Sequence, residues 1–112
     1  MTRDVWRHER IFCRPEDECV YIIQDLKSRN IKIGTSKDFE TRFKTLQSSC
    51  GSKLAILLIF EGGRVTESVY HKRFKKHRLH GEWFAPHIDV IMELIEEKKE
   101  RQILAEFWGE EE

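Results

Sequence analysis

The chain has 112 residues, of which 39% are hydrophobic and 36% charged, and its 20 basic and 20 acidic residues cancel to a formal net charge of zero. That length suits one domain with a core large enough to fold without covalent staples. An odd number of cysteines (Cys13, Cys19 and Cys50) and the absence of a signal-peptide pattern argue against a secreted disulfide scaffold and for a reduced, cytoplasmic protein; the longest apolar run, 54–60, is one strand long and far short of a membrane span.

The cancelled charge hides a segregation. Residues 20–88 hold thirteen Lys or Arg against six Asp or Glu, whereas 89–112 hold three against nine. A basic body suits a phosphate backbone. An acidic tail suits a protein partner or an internal mimic that covers the basic face, and its plain rival is a solvated charged surface. Cys13 and Cys19 with His8 nearby match no zinc-ligand spacing.

Residues 1–18 carry Val5, Trp6, Ile11 and Phe12 as their only sizeable apolar content and read as an N-terminal arm. The run Cys19-Val20-Tyr21-Ile22-Ile23 predicts a strand over 19–24, and Ile31-Lys32-Ile33-Gly34 predicts a second over 31–35, joined by polar turn chemistry. If Tyr21 pairs with Lys32 or a near neighbour, both side chains leave one face of the sheet. Ser36 is the expected N-cap of a helix from Lys37 to about residue 47, with Asp38 and Glu40 in its first turn. Its apolar stripe is Phe39, Phe43 and Leu46, and Arg42 sits at the edge of that stripe.

The uninterrupted apolar run 54–60 predicts a third strand in the middle of the sheet. After Gly62-Gly63 a second helix is expected over 65–77 with Val65, Val69, Tyr70 and Phe74 as its apolar face. Glu67 and His71 stand one turn apart at the boundary of that face. The helix and its exit are basic through Lys72, Arg73, Lys75, Lys76 and Arg78. Residues 79–84 read as a connector around Gly81, with Trp83 as core. Pro86 precedes a last helix over 87–107, whose stripe Ile88, Ile91, Met92 and Ile95 continues in Ile103, Leu104, Phe107 and Trp108. His77, His80 and His87 fall at irregular spacing, which reads against a metal site. The expected fold is α/β (α+β): a small, mostly antiparallel three-stranded sheet flanked by helices, with residues 1–18 as an arm, 19–95 as the domain and 96–112 as an acidic helical extension.

The order of Cys19-Val20-Tyr21, Lys32-Ile33-Gly34, a helix carrying Arg42, and then Glu67 to Phe74 followed by Gly81-Glu82-Trp83-Phe84 resembles the GIY-YIG nuclease superfamily. The nearer likeness is to its small phage and bacterial branch named after a bacteriophage T5 open reading frame, and it covers residues 19–95. The resemblance implies a metal-dependent endonuclease, with DNA the favoured substrate. It implies a divalent cation, Mg2+ or Mn2+, on Glu67; Arg42 on the phosphate; and Tyr21 taking or relaying the proton of the attacking water. Lys32 stands where the second motif usually has tyrosine, and a lysine there orients a phosphate or lowers a neighbouring phenol pKa. The family's late asparagine has no clear counterpart near Glu82, and His71 is the candidate fifth residue, as proton shuttle or water orienter. Lys37, Lys44, Lys72, Arg73, Lys75, Lys76 and Arg78 are the expected nucleic-acid contacts.

Each of these residues also has a plain structural reading. Tyr21 could be a sheet tyrosine, Lys32 an edge residue, Arg42 a snorkelling helix residue, and Glu67 with His71 a solvated pair. The alternative function is a catalytically idle module that binds nucleic acid or a protein, such as a phage-encoded inhibitor of a host enzyme. A homodimer through the apolar end of the last helix is a further expectation.

Overall fold

The central hairpin follows from its β-branched residues. Strands β2 (Cys19–Asp25) and β3 (Ile31–Ser36) pair antiparallel, with Tyr21 opposite Gly34 and Ile23 opposite Lys32. Opposed residues share a face and period two carries it along the strand, so Tyr21 and Lys32 leave the same side. Asp25 builds the turn: its carboxylate accepts from the backbone N–H of Lys27 at 2.8 Å and from the Ser52 hydroxyl at 2.7 Å. Arg29 completes the turn in the left-handed region, at φ 70°.

The computed structural model describes residues 11–14 and 16–109. Val5 and Trp6 of the expected arm, and the acids 110–112, lie outside the described residues, as does the side chain of Trp108. Within them the sheet has six strands, in the order β1-β4-β2-β3-β6-β5, rather than the three read from the sequence. The three expected strands are its antiparallel centre, with β4 spanning Leu54–Glu61. The strand β4 has neighbours on both sides, but β2 and β3 are the innermost pair. Beyond β4 runs the parallel β1 (Ile11–Phe12), and beyond β3 a small hairpin of β5 (Arg78–His80) and β6 (Trp83–Phe84) replaces the expected connector. Strands of two or three residues carry too little alternation to be seen in sequence.

One face of the sheet packs Cys19, Tyr21, Ile23, Leu54 and Ile59 against helix α1 (Phe39–Ser49) through Phe39, Phe43 and Leu46. Asp38, not Ser36, caps this helix, accepting from the N–H and the hydroxyl of Thr41 at 3.2 and 2.8 Å. Ser36 instead accepts from the Asp38 N–H at 3.0 Å, which leaves Lys37 outside the helix. The other face packs Val20, Ile22, Ile31, Ile33, Leu58 and Phe60 against helices α2 (Arg64–Arg73) and α3 (Ile88–Gly109).

Two helix faces differ from expectation. On α2, Tyr70 and the following Phe74 are buried, but Val65 and Val69 are 81% and 46% exposed. On α3 the core side is Val90 and Leu94 with half-buried Ile91, whereas Ile88, Met92 and Ile95 face outward. Polar groups complete that inner face: the Tyr70 hydroxyl donates to Glu97, Arg101 bonds Glu97 at 2.8 Å, and the Arg101 guanidinium lies 4.7 Å over the Phe60 ring. The helix runs unbroken past residue 96. No helix among the described residues is long and apolar enough to cross a membrane.

Phe84 tests whether the small hairpin belongs to the core. It is fully buried and meets Phe74 and His71 edge-on, with ring centroids at 6.4 and 5.1 Å. Phe84→Ala is expected to cost about 3–5 kcal/mol in denaturant unfolding; a loose connector would give under ~1 kcal/mol.

Candidate active site

Gly34 is the floor of the site. A β-carbon built there would fall 2.6 Å from the Tyr21 hydroxyl oxygen and 2.8 Å from Oε1 of Glu82. Any side chain at this position would therefore evict the phenol, the carboxylate or both. The Tyr21 ring is held from the other side by Phe39, with centroids at 5.4 Å. Its hydroxyl is thus fixed over the bare stretch of β3, in a residue only 2% exposed.

The carboxylates arrive from two elements. Glu67 lies in the first turn of α2, which has no side-chain cap and starts after Gly63. Glu82 follows Gly81, whose φ of 54° makes the turn between β5 and β6. The Glu82 carboxyl lies near enough for its charge to be felt at Glu67. Burial, and then the like charge of Glu82, push the Glu67 carboxyl above its ordinary range, while His71 and Arg64 pull the other way. Oε2 of Glu67 is buried and has no hydrogen-bond partner. Two facing carboxylates need a proton or a cation between them, and an orphaned buried oxygen is the donor a hard dication takes up.

Lys32 and His71 close two sides. The Lys32 ammonium is 3.2 Å from Oε1 of Glu82 and 5.4 Å from the Trp83 ring centroid, with only 14% of the side chain exposed. Trp83 is therefore a half-buried wall rather than full core. His71 Nε2 lies 2.9 Å from the carbonyl oxygen of Ile33. A carbonyl only accepts, so Nε2 carries the proton and a neutral ring keeps its lone pair on Nδ1. The Ile33 N–H donates to the Glu82 carbonyl at 3.0 Å. Both outward-facing backbone groups of Ile33 are thereby used to seat the two site-bearing elements, α2 and the turn before β6.

Arg42 sits outside this ring of residues. It is exposed on α1, close enough to Tyr21 to favour its ionised form, and it lines a cleft of about 530 Å3 with Glu18, Thr35, Ser36, Lys37 and Arg64. The structure thus brings Tyr21, Lys32, Glu67 and His71 together, with Arg42 near Tyr21 and Lys37 lining the same cleft as Arg42. The other expected phosphate contacts are scattered. Lys44 pairs with Glu40 at 3.8 Å, Arg73 with Glu93 at 3.2 Å, and Arg78 Nε donates to the Gly81 carbonyl at 2.7 Å. Lys72, Lys75 and Lys76 are exposed on and just beyond α2.

Two contributors escape sequence reasoning. Glu82 stood in a recognised run, Gly81 to Phe84, but only the pairing of β6 with β3 places its carboxylate. Arg64 had one signal, its place directly after Gly62-Gly63 at a helix start.

A mixed sheet carrying a phenol, two carboxyl groups and flanking cations around one glycine of its central hairpin defines the class of site. Residues 18–99 match the model of the T5orf172 domain, and the chain belongs to this family of nuclease-related domains. No curated protein and no solved structure matches the chain.

Burial of the phenols gives a pH signature. Burial first, then the Glu82 charge, raise Tyr21 to about 12, and burial with the bond to Glu97 raises Tyr70, the other tyrosine of the chain. A phenol that ionises at about 10 when unfolded but higher when folded stabilises the fold below pH ~10. That contribution disappears as the pH climbs toward 12. Phenolate absorbance is expected to stay flat through pH ~10 and then rise together with loss of the folded circular-dichroism signal; independent titration of a folded protein at pH ~10 would contradict the burial.

Proposed function

We propose that the protein is a GIY-YIG-type, metal-dependent endonuclease that hydrolyses phosphodiester bonds, with DNA the favoured substrate, in a phage or bacterial setting. The observation that carries this reading is the orphaned Oε2 of Glu67, buried in the cluster that also holds Glu82 and the Tyr21 phenol. Glu67, with Glu82 beside it, would hold one Mg2+ or Mn2+. When bound, that cation supplies Lewis acidity at the phosphoryl oxygens and charge for the departing oxygen.

The chain's own residues account for the rest. Phosphodiester hydrolysis needs a positioned water, a place for its proton, and positive charge on the phosphoryl oxygens. Arg42 offers forked donors at the mouth of the site, and Lys37 and Arg64 in the same cleft suit the neighbouring phosphate of the strand. Tyr21 is a neutral phenol near pH 7, because its pKa lies well above that. It therefore orients the attacking water and relays a proton rather than serving as a standing phenolate base. Nδ1 of His71, left unprotonated by the Nε2 bond to the Ile33 carbonyl, is the acceptor assigned to the proton of that water. Lys32, 3.2 Å from Glu82, holds that carboxyl in place beside Glu67.

One observation favours a second reading. The Lys32–Glu82 ion pair already satisfies charge within the cluster, as an idle nucleic-acid-binding module would allow. Lys72, Lys75 and Lys76 would serve binding in either case.

Nicking of supercoiled plasmid DNA in Mg2+ or Mn2+ separates the two. The wild type is expected to cut, Glu67→Gln to lose cutting to background while keeping its fold, and Arg42→Ala to slow it about 100- to 1000-fold, the range for removing one donor to transition-state charge. Folded wild type that binds DNA without cutting it would establish the idle module, and full activity in Glu67→Gln would overturn the assignment of the cation ligand.

A further inference from the structure

Away from the active site, the base of the β5–β6 hairpin gathers three metal-ligand side chains. His77 ends the short 3-10 turn (Lys75–His77) before β5, His87 immediately precedes α3, and Asp89 lies in the first turn of α3. The two imidazoles stack with centroids 4.0 Å apart and planes 15° from parallel. Oδ2 of Asp89 lies 3.3 Å from His77 Nε2 and 3.4 Å from His87 Nδ1. One ligand atom from each residue falls within 4.8 Å of the others.

We propose that His77, His87 and Asp89 form a binding site for a borderline transition-metal dication, zinc first among them, that staples the hairpin carrying Glu82. The donor set, two imidazoles and a carboxylate, is that of a zinc centre with an open fourth position. The spacing fits as well. Metal bonds of about 2.0–2.1 Å in a tetrahedral site put ligand atoms about 3.3–3.4 Å apart along each edge, which is the separation of Oδ2 from both nitrogens.

The stacked rings do not yet aim both in-plane lone pairs at one point, so binding requires the exposed His87 ring to turn off the stack. The N–H of Asp89 donates to His87 Nδ1 at 3.1 Å, so Nδ1 is unprotonated and its one lone pair is engaged by that N–H, with the Asp89 carboxylate 3.4 Å away. Two acceptors at that distance repel, and a cation between them reverses the sign. The cation would take Nδ1 over from the capping N–H, which can turn to water at a helix start, and would displace the proton that His77 Nε2 shares with Asp89.

The location gives the staple its consequence. His77 and His87 bracket the hairpin, whose base is already held by the Ala85 N–H on the His77 carbonyl at 2.8 Å. A metal across the same base fixes the lever on which Glu82 reaches the active site. Beside it a cleft of about 420 Å3 leaves room for water at the fourth position; of the cations lining it, Arg73 is paired with Glu93 at 3.2 Å and Lys76 is exposed.

The test uses the full chain, stripped with chelator and titrated with Co2+ and, separately, with Zn2+. Glu67→Gln serves as background so that the active-site carboxylates do not compete. Expected are one equivalent of Co2+ with the intense visible bands of tetrahedral coordination, and a Tm rise on the order of 10 °C at Zn2+ a hundredfold above its Kd. Both signals should disappear in His87→Gln and in Asp89→Asn, whose side chains are exposed and whose fold is checked by circular dichroism. His77→Gln should behave alike. Unchanged cobalt spectra and Tm shifts in these variants, sulfur-to-cobalt charge-transfer bands from the cysteines, or no response to either metal would each overturn the site. The last result would mean that the cluster is a helix cap and ion pair only.

Discussion

Everything at the candidate active site depends on a missing side chain. Tyr21 lies opposite Gly34 in the β2–β3 ladder, and its phenol crosses the space a β-carbon would fill. Only glycine lets a ring that is held by Phe39 on one side lie down against the strand on the other. The same vacancy admits Oε1 of Glu82. One backbone position thus decides whether a phenol and a carboxylate meet or are pushed apart. The cost is borne by β3, because glycine in a strand weakens it, and the neighbouring Ile33 is correspondingly tied down through both of its outward backbone groups.

Those two bonds also explain how the architecture serves the site. β6 pairs with β3 only at Ile31 and Lys32, so the remainder of that edge is uncovered. Into that gap come the Glu82 backbone and the His71 ring. α2 lies on the opposite sheet face from α1, yet its Glu67 and His71 reach the strand end where the two faces meet. Electrostatics sharpen the picture. Glu67 and Glu82 lie inside the site with Lys32 paired to Glu82 at 3.2 Å, and Arg42, Lys37 and Arg64 line the neighbouring cleft together with Glu18.

The β-branched strands β2 and β3, the apolar run of β4 and the stripe of α1 were legible in the sequence because each is long enough to show its pattern of burial. The edges were not. β1 and β6 have two residues each, and their pairing is settled by partners distant in the chain. The faces of α2 and α3 were misread for one reason: hydrophobicity pointed to Val65, Val69, Ile88 and Met92. The core kept the expected Tyr70 and Phe74 but took Val90 and Leu94 in place of the others, with the Arg101 guanidinium over Phe60. Tyr21, Lys32, Glu67 and His71 were legible as a set through their order along the chain. Glu82 was not, since its position rests on the left-handed Gly81 and a two-residue strand. The meeting of His77 with His87 was likewise hidden, because their irregular spacing becomes proximity only when the hairpin closes.

The central claim is that the carboxylates above Gly34 are a cation site. Anomalous diffraction from crystals of the protein soaked in Mn2+ addresses it without relying on turnover. The account predicts a peak within bonding distance of Glu67 Oε2, on the Glu82 side, that disappears in Glu67→Gln. Manganese bound only elsewhere, with Glu67 Oε2 left as it is, would contradict it.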